Sequence, residues 1–275
     1  MADTFEPLLH DPNGGMARLR AIMRRLRDPQ TGCPWDLEQT FATIAPFTVE
    51  EAHEVADAIA RQAWDELPGE LGDLLLQVVF HAQIAEDAGL FSFDDVARAV
   101  ADKMIARHSH VFGSENRDKS AAQQTVDWER LKAAERGPAR VLDGVALGLP
   151  ALTRAVKLQK RAARVGFDWP STDEVLAKMR EEMTELVEAR DTLTEVEVEE
   201  EFGDLMFVMA NLSRHMGLDP EAALHGANAK FTRRFQRIED LLAETGRTPD
   251  QSDLVEMDAL WNRAKAEEKA RKAKT

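Results

Sequence analysis

Apolar residues recur along most of the chain with the spacing of an α-helix. Between residues 67 and 88, for example, the apolar positions that form one stripe are Leu71, Leu74, Leu75, Val78 and Val79. Segments with this period are separated by short stretches that contain Gly, Pro, Ser or Thr. The pattern therefore predicts an all-α fold.

The breaks in the pattern predict ten helices, five in each half of the chain. In the first half we expect helices at residues 16–26, 48–63, 67–88, 93–106 and 126–135. In the second half we expect them at residues 152–164, 173–190, 195–216, 220–245 and 254–272. Residues 109–125 are interpreted as a polar loop, and residues 138–150 as a linker between domains 1–137 and 151–275.

The two halves carry the same acidic pattern. In the first half it comprises Glu50, Glu51 and Glu54, followed sixteen residues after Glu54 by Glu70 and Asp73. Each of these acids recurs 131 residues later, and the second set is Glu181, Glu182, Glu185, Glu201 and Asp204. The chain is therefore interpreted as a tandem duplication of one helical domain.

The spacing of these acids predicts a metal site in the second half. Glu182 and Glu185 lie three residues apart, as do Glu201 and Asp204, so each pair projects from one side of its helix. Thr192 and Thr194 interrupt the helical pattern between the pairs, which allows the chain to reverse and bring them together. Carboxylates that converge in this way repel one another unless a cation lies among them. Mg2+ is the expected ion, because it prefers oxygen ligands, although Mn2+ suits carboxylates as well.

Cations and indoles recur at four-residue spacing in both halves. The first set is Lys103 with Arg107 and Trp128 with Lys132, and the second set is Lys230 with Arg234 and Trp261 with Lys265. Any one such pair is expected of a solvated helix surface or a packed indole. Together with the acids, however, they supply what binding a nucleoside polyphosphate requires: metal ligands, cations for phosphate oxygens, and a ring face for a base.

Composition narrows the range of functions. A formal net charge of −15 argues against nucleic-acid binding, which requires a basic surface. The single cysteine, Cys33, excludes an internal disulfide and suits a reducing cytoplasm. We also find no apolar stretch of about 20 residues that would span a membrane. A cytoplasmic location is expected.

These motifs resemble those of the MazG family of nucleoside triphosphate pyrophosphohydrolases, which are all-α enzymes related to dimeric dUTPases. The family signature, Glu-Glu-x-x-Glu followed by Glu-x-x-Asp, is present in full in both halves, and Gly-Cys-Pro-Trp-Asp precedes the first copy. The resemblance covers nearly the whole chain. It implies hydrolysis between the α- and β-phosphates of nucleoside triphosphates, and it implies a dimer.

The resemblance also implies roles for individual residues, with the C-terminal domain as the catalytic one. Mg2+ would be held by Glu182, Glu185, Glu201 and Asp204, and the catalytic residues would be Glu181, Glu182, Lys230 and Arg234. The nucleotide would be bound by Lys178, Arg180, Lys230, Arg234, Trp261 and Lys265. A second candidate site in the N-terminal domain comprises Glu50, Glu51, Glu54, Glu70, Asp73, Lys103, Arg107, Trp128 and Lys132. In relatives we expect a Lys where this chain has Glu197.

Three alternative interpretations compete with this one. Thr48 with Glu51, like Ser171 with Glu174, has the form of a capping box, so that Glu51 would only satisfy a helix N-terminus. A di-iron carboxylate protein would also use Glu pairs, and Glu50-x-x-His53 matches half of its requirement, but Thr184 replaces the second His. In a non-catalytic scaffold or nucleotide-sensing protein the acids would contribute only solubility.

Overall fold

The computed structural model describes residues 6–114, 117–135 and 140–273, apart from the side chains of residues 6, 122, 129, 130, 132–135 and 272. The chain forms two compact units, Met1–Arg136 and Gly137–Thr275. Within the described residues all regular structure is helical. The all-α prediction is therefore confirmed, and each unit contains one long antiparallel helix pair that carries its acidic motif.

The N-terminal unit is built around two 21-residue helices, α4 and α5, that pack against each other. Its helices are α1 (Glu6–Leu9), α2 (Gly15–Leu26), α3 (Pro34–Glu38), α4 (Phe41–Arg61), α5 (Leu67–Asp87), α6 (Phe93–Arg107), α7 (Ser109–Phe112) and α8 (Ala121–Glu135). Helices α2 and α6 also pack on α5. The core joins these elements through Met23, Ile44, Val79, Phe80 and Ile84.

The C-terminal unit repeats this arrangement with α10 and α11 as its central pair. Its helices are α9 (Ala151–Ala163), α10 (Thr172–Thr192), α11 (Glu195–His215), α12 (Pro220–Ala243) and α13 (Leu254–Lys272), with a short 3-10 turn at Pro249–Gln251. Helix α9 packs on α11, and α13 packs on α12. The buried apolar residues of this unit include Val175, Val208, Ile238, Leu241 and Leu242.

The segment before α9 is anchored to the C-terminal unit. The Arg161 guanidinium donates to the carbonyl oxygens of Asp143 and Gly144, and Val145 is buried. The Asp168 carboxylate, in the α9–α10 loop, accepts hydrogen bonds from Arg214 and lies 3.2 Å from His215 Nε2. These contacts attach both loops of α9 to the unit, and they hold the start of α10 against the end of α11.

Two details of the sequence-based helix assignment are wrong. Helix α4 begins seven residues before Thr48, and the N-terminal capping box is formed by Thr40 and Thr43. Thr48 is therefore interior to the helix, where its Oγ1 lies 3.0 Å from His81 Nε2. The interpretation of Glu51 as a capping residue fails with it. Residues 109–125 contain α7 and the start of α8 rather than only loop.

The apolar stripe of α5 is only partly covered within the unit. Val79 is buried, but Leu71, Leu75 and Val78 are 49%, 36% and 37% exposed. These three residues lie at positions i, i+4 and i+7 and therefore share one helical face. The face is available to a partner rather than being used in the core of the unit.

Candidate active site

The acids of the C-terminal unit meet because α10 and α11 are joined by a tight turn. Helix α10 ends at Thr192 and α11 begins at Glu195. Thr194 caps α11: its hydroxyl accepts from the Glu197 backbone N–H, while the Glu197 carboxylate accepts from both the backbone N–H and the hydroxyl of Thr194. These bonds lower the pKa of Glu197. A capping acid therefore occupies the position where a Lys was expected.

Glu182, Glu201 and Asp204 form the centre of the candidate site. One carboxylate oxygen from each of the three lies within 4.8 Å of the other two. Partial burial, followed by the negative charges of Glu185, Glu182 and Asp204, raises the pKa of Glu201. Removal from water and mutual repulsion both oppose ionisation, so the arrangement favours binding of a cation.

Glu182 is the buried member of this group, with only 5% of its surface exposed. Its Oε1 forms an ion pair with Lys178 Nζ at 2.7 Å. Its Oε2 is inaccessible to solvent and has no hydrogen-bond partner among the described residues. A buried carboxylate oxygen without a partner is costly, and a metal ion held with Glu201 and Asp204 would satisfy it. The residues therefore fit a divalent cation.

Lys178 connects the other predicted acids to Glu182. Its Nζ donates to Glu181 Oε1 at 2.8 Å and lies 3.9 Å from Glu185 Oε2. The hydrogen bonds to Glu181 and Glu182 raise the pKa of Lys178, so the side chain is firmly cationic. This role as partner of the acids was missed in the sequence, although the 178/182 and 178/181 spacings signal it. Arg180 instead donates to the backbone oxygen of Leu176.

The predicted nucleotide-binding residues of α12 and α13 form a separate cluster. The Arg234 guanidinium lies over the Trp261 ring at 5.3 Å, and Phe231 lies 5.4 Å from the same ring. Glu268 accepts from Nε of Arg233 and of Arg234, at 2.6 and 2.9 Å. Lys230 and Lys265 are exposed. The structure thus brings Arg234 and Trp261 together, on a helix pair different from the one that carries the acids.

The N-terminal unit has a matching acidic group. One carboxylate oxygen from each of Glu51, Glu70 and Asp73 lies within 4.8 Å of the other two. Partial burial and then Glu54 and Asp73 raise the pKa of both Glu51 and Glu70. Glu50 and Glu54 are exposed on the same helix. His53 is also exposed and is not part of the group, in keeping with a surface histidine rather than an iron ligand.

The remaining residues of the N-terminal candidate site lie on α6 and α8. Lys103 is exposed on α6, and the Trp128 indole donates to the backbone oxygen of Arg107 at 3.0 Å. This contact brings Trp128, the first residue of the predicted Trp128–Lys132 pair, next to Arg107, the last residue of the predicted Lys103–Arg107 pair. The Lys132 side chain lies outside the described residues.

Known protein families match both units separately. Residues 39–112 match the MazG nucleotide pyrophosphohydrolase domain, and residues 149–230 match the phosphoribosyl-ATP pyrophosphohydrolase family. The two matches include all the acids of the N-terminal and C-terminal groups, respectively. No helix in the described part of the chain is long and apolar enough to cross a membrane.

Full-length relatives extend this similarity. The chain is 48% identical to the nucleoside triphosphate pyrophosphohydrolase of Escherichia coli (strain K12), over 91% of this chain and 97% of that protein. It is 42% identical to the nucleoside triphosphate pyrophosphohydrolase/pyrophosphatase MazG of Thermotoga maritima, over 90% and 94%. A Mycobacterium tuberculosis nucleoside triphosphate pyrophosphohydrolase is 42% identical over 54% of this chain and 44% of its own length. The chain therefore belongs to the MazG family of nucleoside triphosphate pyrophosphohydrolases, which are hydrolases of phosphoric anhydride bonds.

Proposed function

We propose that the C-terminal unit hydrolyses nucleoside triphosphates between the α- and β-phosphates, giving the nucleoside monophosphate and pyrophosphate, and that it requires Mg2+. The observation that carries the proposal is the buried, unpartnered Oε2 of Glu182 beside Glu201 and Asp204. A set of carboxylate oxygens at this spacing suits a hard divalent ion. The names of the full-length relatives support the nucleoside triphosphate substrate.

Each acid has a part in the proposed reaction. When bound, the divalent ion supplies positive charge to the phosphoryl oxygens. Glu182, Glu201 and Asp204 would hold it, and Glu185 would complete the set, since its charge already acts on Glu201. Glu181 is exposed beside them and held by Lys178, so it would accept the proton of the attacking water. The water oxygen would become part of the α-phosphate of the monophosphate.

The cations would act on the parts of the substrate that the acids leave uncovered. Only Nε of Arg234 is used by Glu268 among the described contacts, so its terminal nitrogens suit phosphate oxygens. Lys230 would lie one turn before it, and Lys178 and Arg180 would approach from α10. Trp261 and Lys265 would contact the nucleotide from α13. In the same way Lys103, Arg107, Trp128 and Lys132 would serve the N-terminal acids as a second site.

We also propose that the protein is a homodimer. In the C-terminal unit, too, large apolar residues on the acidic helices are exposed, including Met183, Val187, Phe202 and Met209 at 43–54%. Together with the exposed face of α5, they would be covered by the like helices of a second copy. Light scattering after size exclusion should give twice 30.8 kDa. A monomeric mass would contradict this part of the proposal.

The reaction is tested by following its products. The full chain is stripped of metal with a chelator and returned to Mg2+, to Mn2+ or to buffer alone, and each sample is incubated with a panel of triphosphates in 18O-labelled water. The proposal requires monophosphate carrying 18O, unlabelled pyrophosphate, and no turnover without added metal. Diphosphate and phosphate as products, metal-independent turnover, or no hydrolysis of any triphosphate would overturn it.

A further inference from the structure

The N-terminal unit contains an exposed aromatic group that its acidic site does not explain. Trp35, in the short helix α3, is 51% exposed, and its ring centroid lies 6.4 Å from the rings of both Phe47 and Phe80. The interplanar angles are 68° and 87°, so neither neighbour is stacked parallel to the indole. Phe47 is itself 39% exposed. Exposed rings without a parallel partner offer a surface on which a planar ligand can stack.

This group lies on the same two helices as the acids. Phe47 precedes Glu51 by four residues on α4, which places it one turn away on the same face. Phe80 follows Asp73 by seven residues on α5, about 10 Å along the helix axis. A planar group on Trp35 and a phosphate at the acids would therefore be separated by one to two helical turns. The ribose and first phosphate of a nucleotide bridge a gap of this size.

A buried amide lies between the acids and the rings. Gln77 follows Glu70 by seven residues and Asp73 by four, so it shares their face of α5. The residue is only 9% exposed, and its Oε1 has no partner among the described residues. An amide carries both a donor and an acceptor, which is what the edge of a nucleobase requires.

The fold itself does not require these residues. At the corresponding positions, 131 residues later, the C-terminal unit has Lys178 for Phe47, Val208 for Gln77 and Asn211 for Phe80. Helices α10 and α11 nevertheless pack as α4 and α5 do. Phe47, Gln77 and Phe80 are therefore a property of the N-terminal unit that needs a separate explanation.

We infer that Trp35, Phe47 and Gln77 form a nucleobase subsite in the N-terminal unit. A nucleoside phosphate would stack its base on Trp35, while its phosphates would reach Glu51, Glu70 and Asp73 through a divalent ion. This inference rests on the proposed function, because it needs those acids to hold a metal and phosphate. It adds that the base lies on Trp35 rather than on Trp128, whose indole N–H donates to the Arg107 backbone oxygen. It also adds that the base is recognised without the cation that the C-terminal unit places at position 178.

Two ligands separate base recognition from phosphate binding. The full chain carrying Glu182→Gln and Asp204→Asn, which disables the C-terminal acids, is titrated calorimetrically with Mg2+ and either α,β-methylene-ATP or inorganic tripolyphosphate. Trp35→Leu in this background should weaken binding of the nucleotide about 5- to 150-fold, the range for loss of one stacked base. Binding of tripolyphosphate should change less than about twofold.

Further variants guard against unfolding and nonspecific effects. Phe47→Lys installs the residue that the equivalent helix of the C-terminal unit already tolerates, and it should lower the ratio of nucleotide affinity to tripolyphosphate affinity. Trp64→Leu is the matched control, because Trp64 is 60% exposed in the α4–α5 connection, at the opposite end of α4 from Phe47. It should leave both affinities unchanged. Thermal unfolding checks that each variant is folded.

The outcomes distinguish this inference from the proposed function. If Glu51→Gln in the same background abolishes binding of both ligands but Trp35→Leu spares the nucleotide, the base subsite is overturned and the role of the acids stands. Equal losses of both ligands in Trp35→Leu would also overturn the subsite. If neither ligand depends on Glu51, the N-terminal acids do not bind phosphate through a metal, and the inference fails together with that part of the proposed function.

Discussion

Phe47 and Lys178 occupy equivalent positions in the two units, one turn before the first acids of each site. Around Lys178 the acids are ion-paired, with Glu181 and Glu182 at 2.8 and 2.7 Å from its Nζ. Around Phe47 the neighbours are aromatic, and the Trp35 ring lies 6.4 Å away. The acids themselves are grouped alike in both units. The helix pair thus supplies the candidate metal ligands, and the residue one turn before them differs in chemistry between the units.

The burial of the acids differs as well. Glu182 is buried in the C-terminal unit, whereas Glu51, its counterpart, is partly exposed. A cation at a buried carboxylate is less screened by water, so its electrostatic effect on a phosphate is larger. This difference, together with Lys178, supports assigning turnover to the C-terminal unit and a binding role to the N-terminal one. The following predictions test that division.

The largest effect is expected from removing Glu182, the buried candidate metal ligand. Glu182→Gln keeps the shape of the side chain but removes its charge, so we expect pyrophosphate release to fall at least about 100-fold. Glu51→Gln, the matched change in the other unit, should lower it less than about threefold. Both are measured as initial rates at saturating Mg2+ and triphosphate.

A larger loss of turnover in Glu51→Gln than in Glu182→Gln would contradict the assignment of turnover to the C-terminal unit. Equal losses in the two variants would show that both sites turn over substrate or depend on each other. Thermal unfolding of both proteins provides the control for folding, because a buried Gln is uncharged and should not prevent it.

A smaller loss is expected when Lys178 is replaced. Lys178→Met leaves Glu181 and Glu182 without their cation, and we expect turnover to fall about 10-fold, the equivalent of one charge-assisted hydrogen bond. The half-saturating Mg2+ concentration should fall at the same time, since the metal no longer competes with the ammonium group. Arg190→Met is the control, because Arg190 lies in the last turn of the same helix and pairs with Asp191 rather than with an acid of the site. A loss in Arg190→Met equal to that in Lys178→Met would refute the specific role of Lys178.

The hydrogen bonds between Arg214 and Asp168 should affect stability more than activity. The Arg214 side chain is 12% exposed, and its hydrogen bonds hold the pKa of Asp168 below the ordinary range. We expect Asp168→Asn to lower the free energy of unfolding by about 1 kcal/mol at pH 7, as measured with urea.

The pH dependence of this loss follows from the direction of the shift. A lowered folded-state pKa means that the stabilisation is complete above the unfolded value of about 4 and is lost as the pH falls through the folded value. The gap between the wild-type protein and Asp168→Asn should therefore close below about pH 4. A gap that is constant with pH would mean that charge at Asp168 does not stabilise the fold.

The smallest effect is expected at Glu197. Glu197→Lys removes the capping bonds to Thr194 and places a positive charge in the first turn of α11, which should cost about 0.5–1 kcal/mol of unfolding free energy. Turnover should change less than about threefold, because Glu197 faces the cap rather than the acids. Glu66, its counterpart, forms an exposed ion pair with Arg61, and Glu66→Lys should cost less. A large loss of turnover in Glu197→Lys would place this residue in the site.

Much of the fold and the two acidic groups could be predicted from the sequence, because both depend on local spacing. The period of apolar residues located the long helices, and the bounds 254–272 for the last helix match the structure. The start of α4 was missed because Pro46, which normally disfavours a helix interior, lies inside it. The capping pattern at Thr48 then appeared to supply a later start.

Contacts between distant segments could not be predicted in this way. The contact of Trp35 with Phe80 joins residues that are 45 positions apart. The hydrogen bond between Arg214 and Asp168 joins residues that are 46 positions apart. Neither follows from helical spacing. The burial of Glu182 is likewise set by packing between helices rather than by the pattern of its own helix, which places Glu181 and Glu182 side by side with very different exposure.

The turns between the acidic helices differ in length, and this difference has a consequence for sequence change. Residues 62–66 connect α4 to α5, whereas only residues 193 and 194 connect α10 to α11. In both units, nevertheless, the second group of acids begins sixteen residues after the first group ends, at Glu70 after Glu54 and at Glu201 after Glu185. One inserted residue beyond the turn would rotate the second pair of acids about 100° around its helix and away from the first. Insertions and deletions should therefore be tolerated in the segment that joins the two units. They should be excluded between the two acidic helices of each unit.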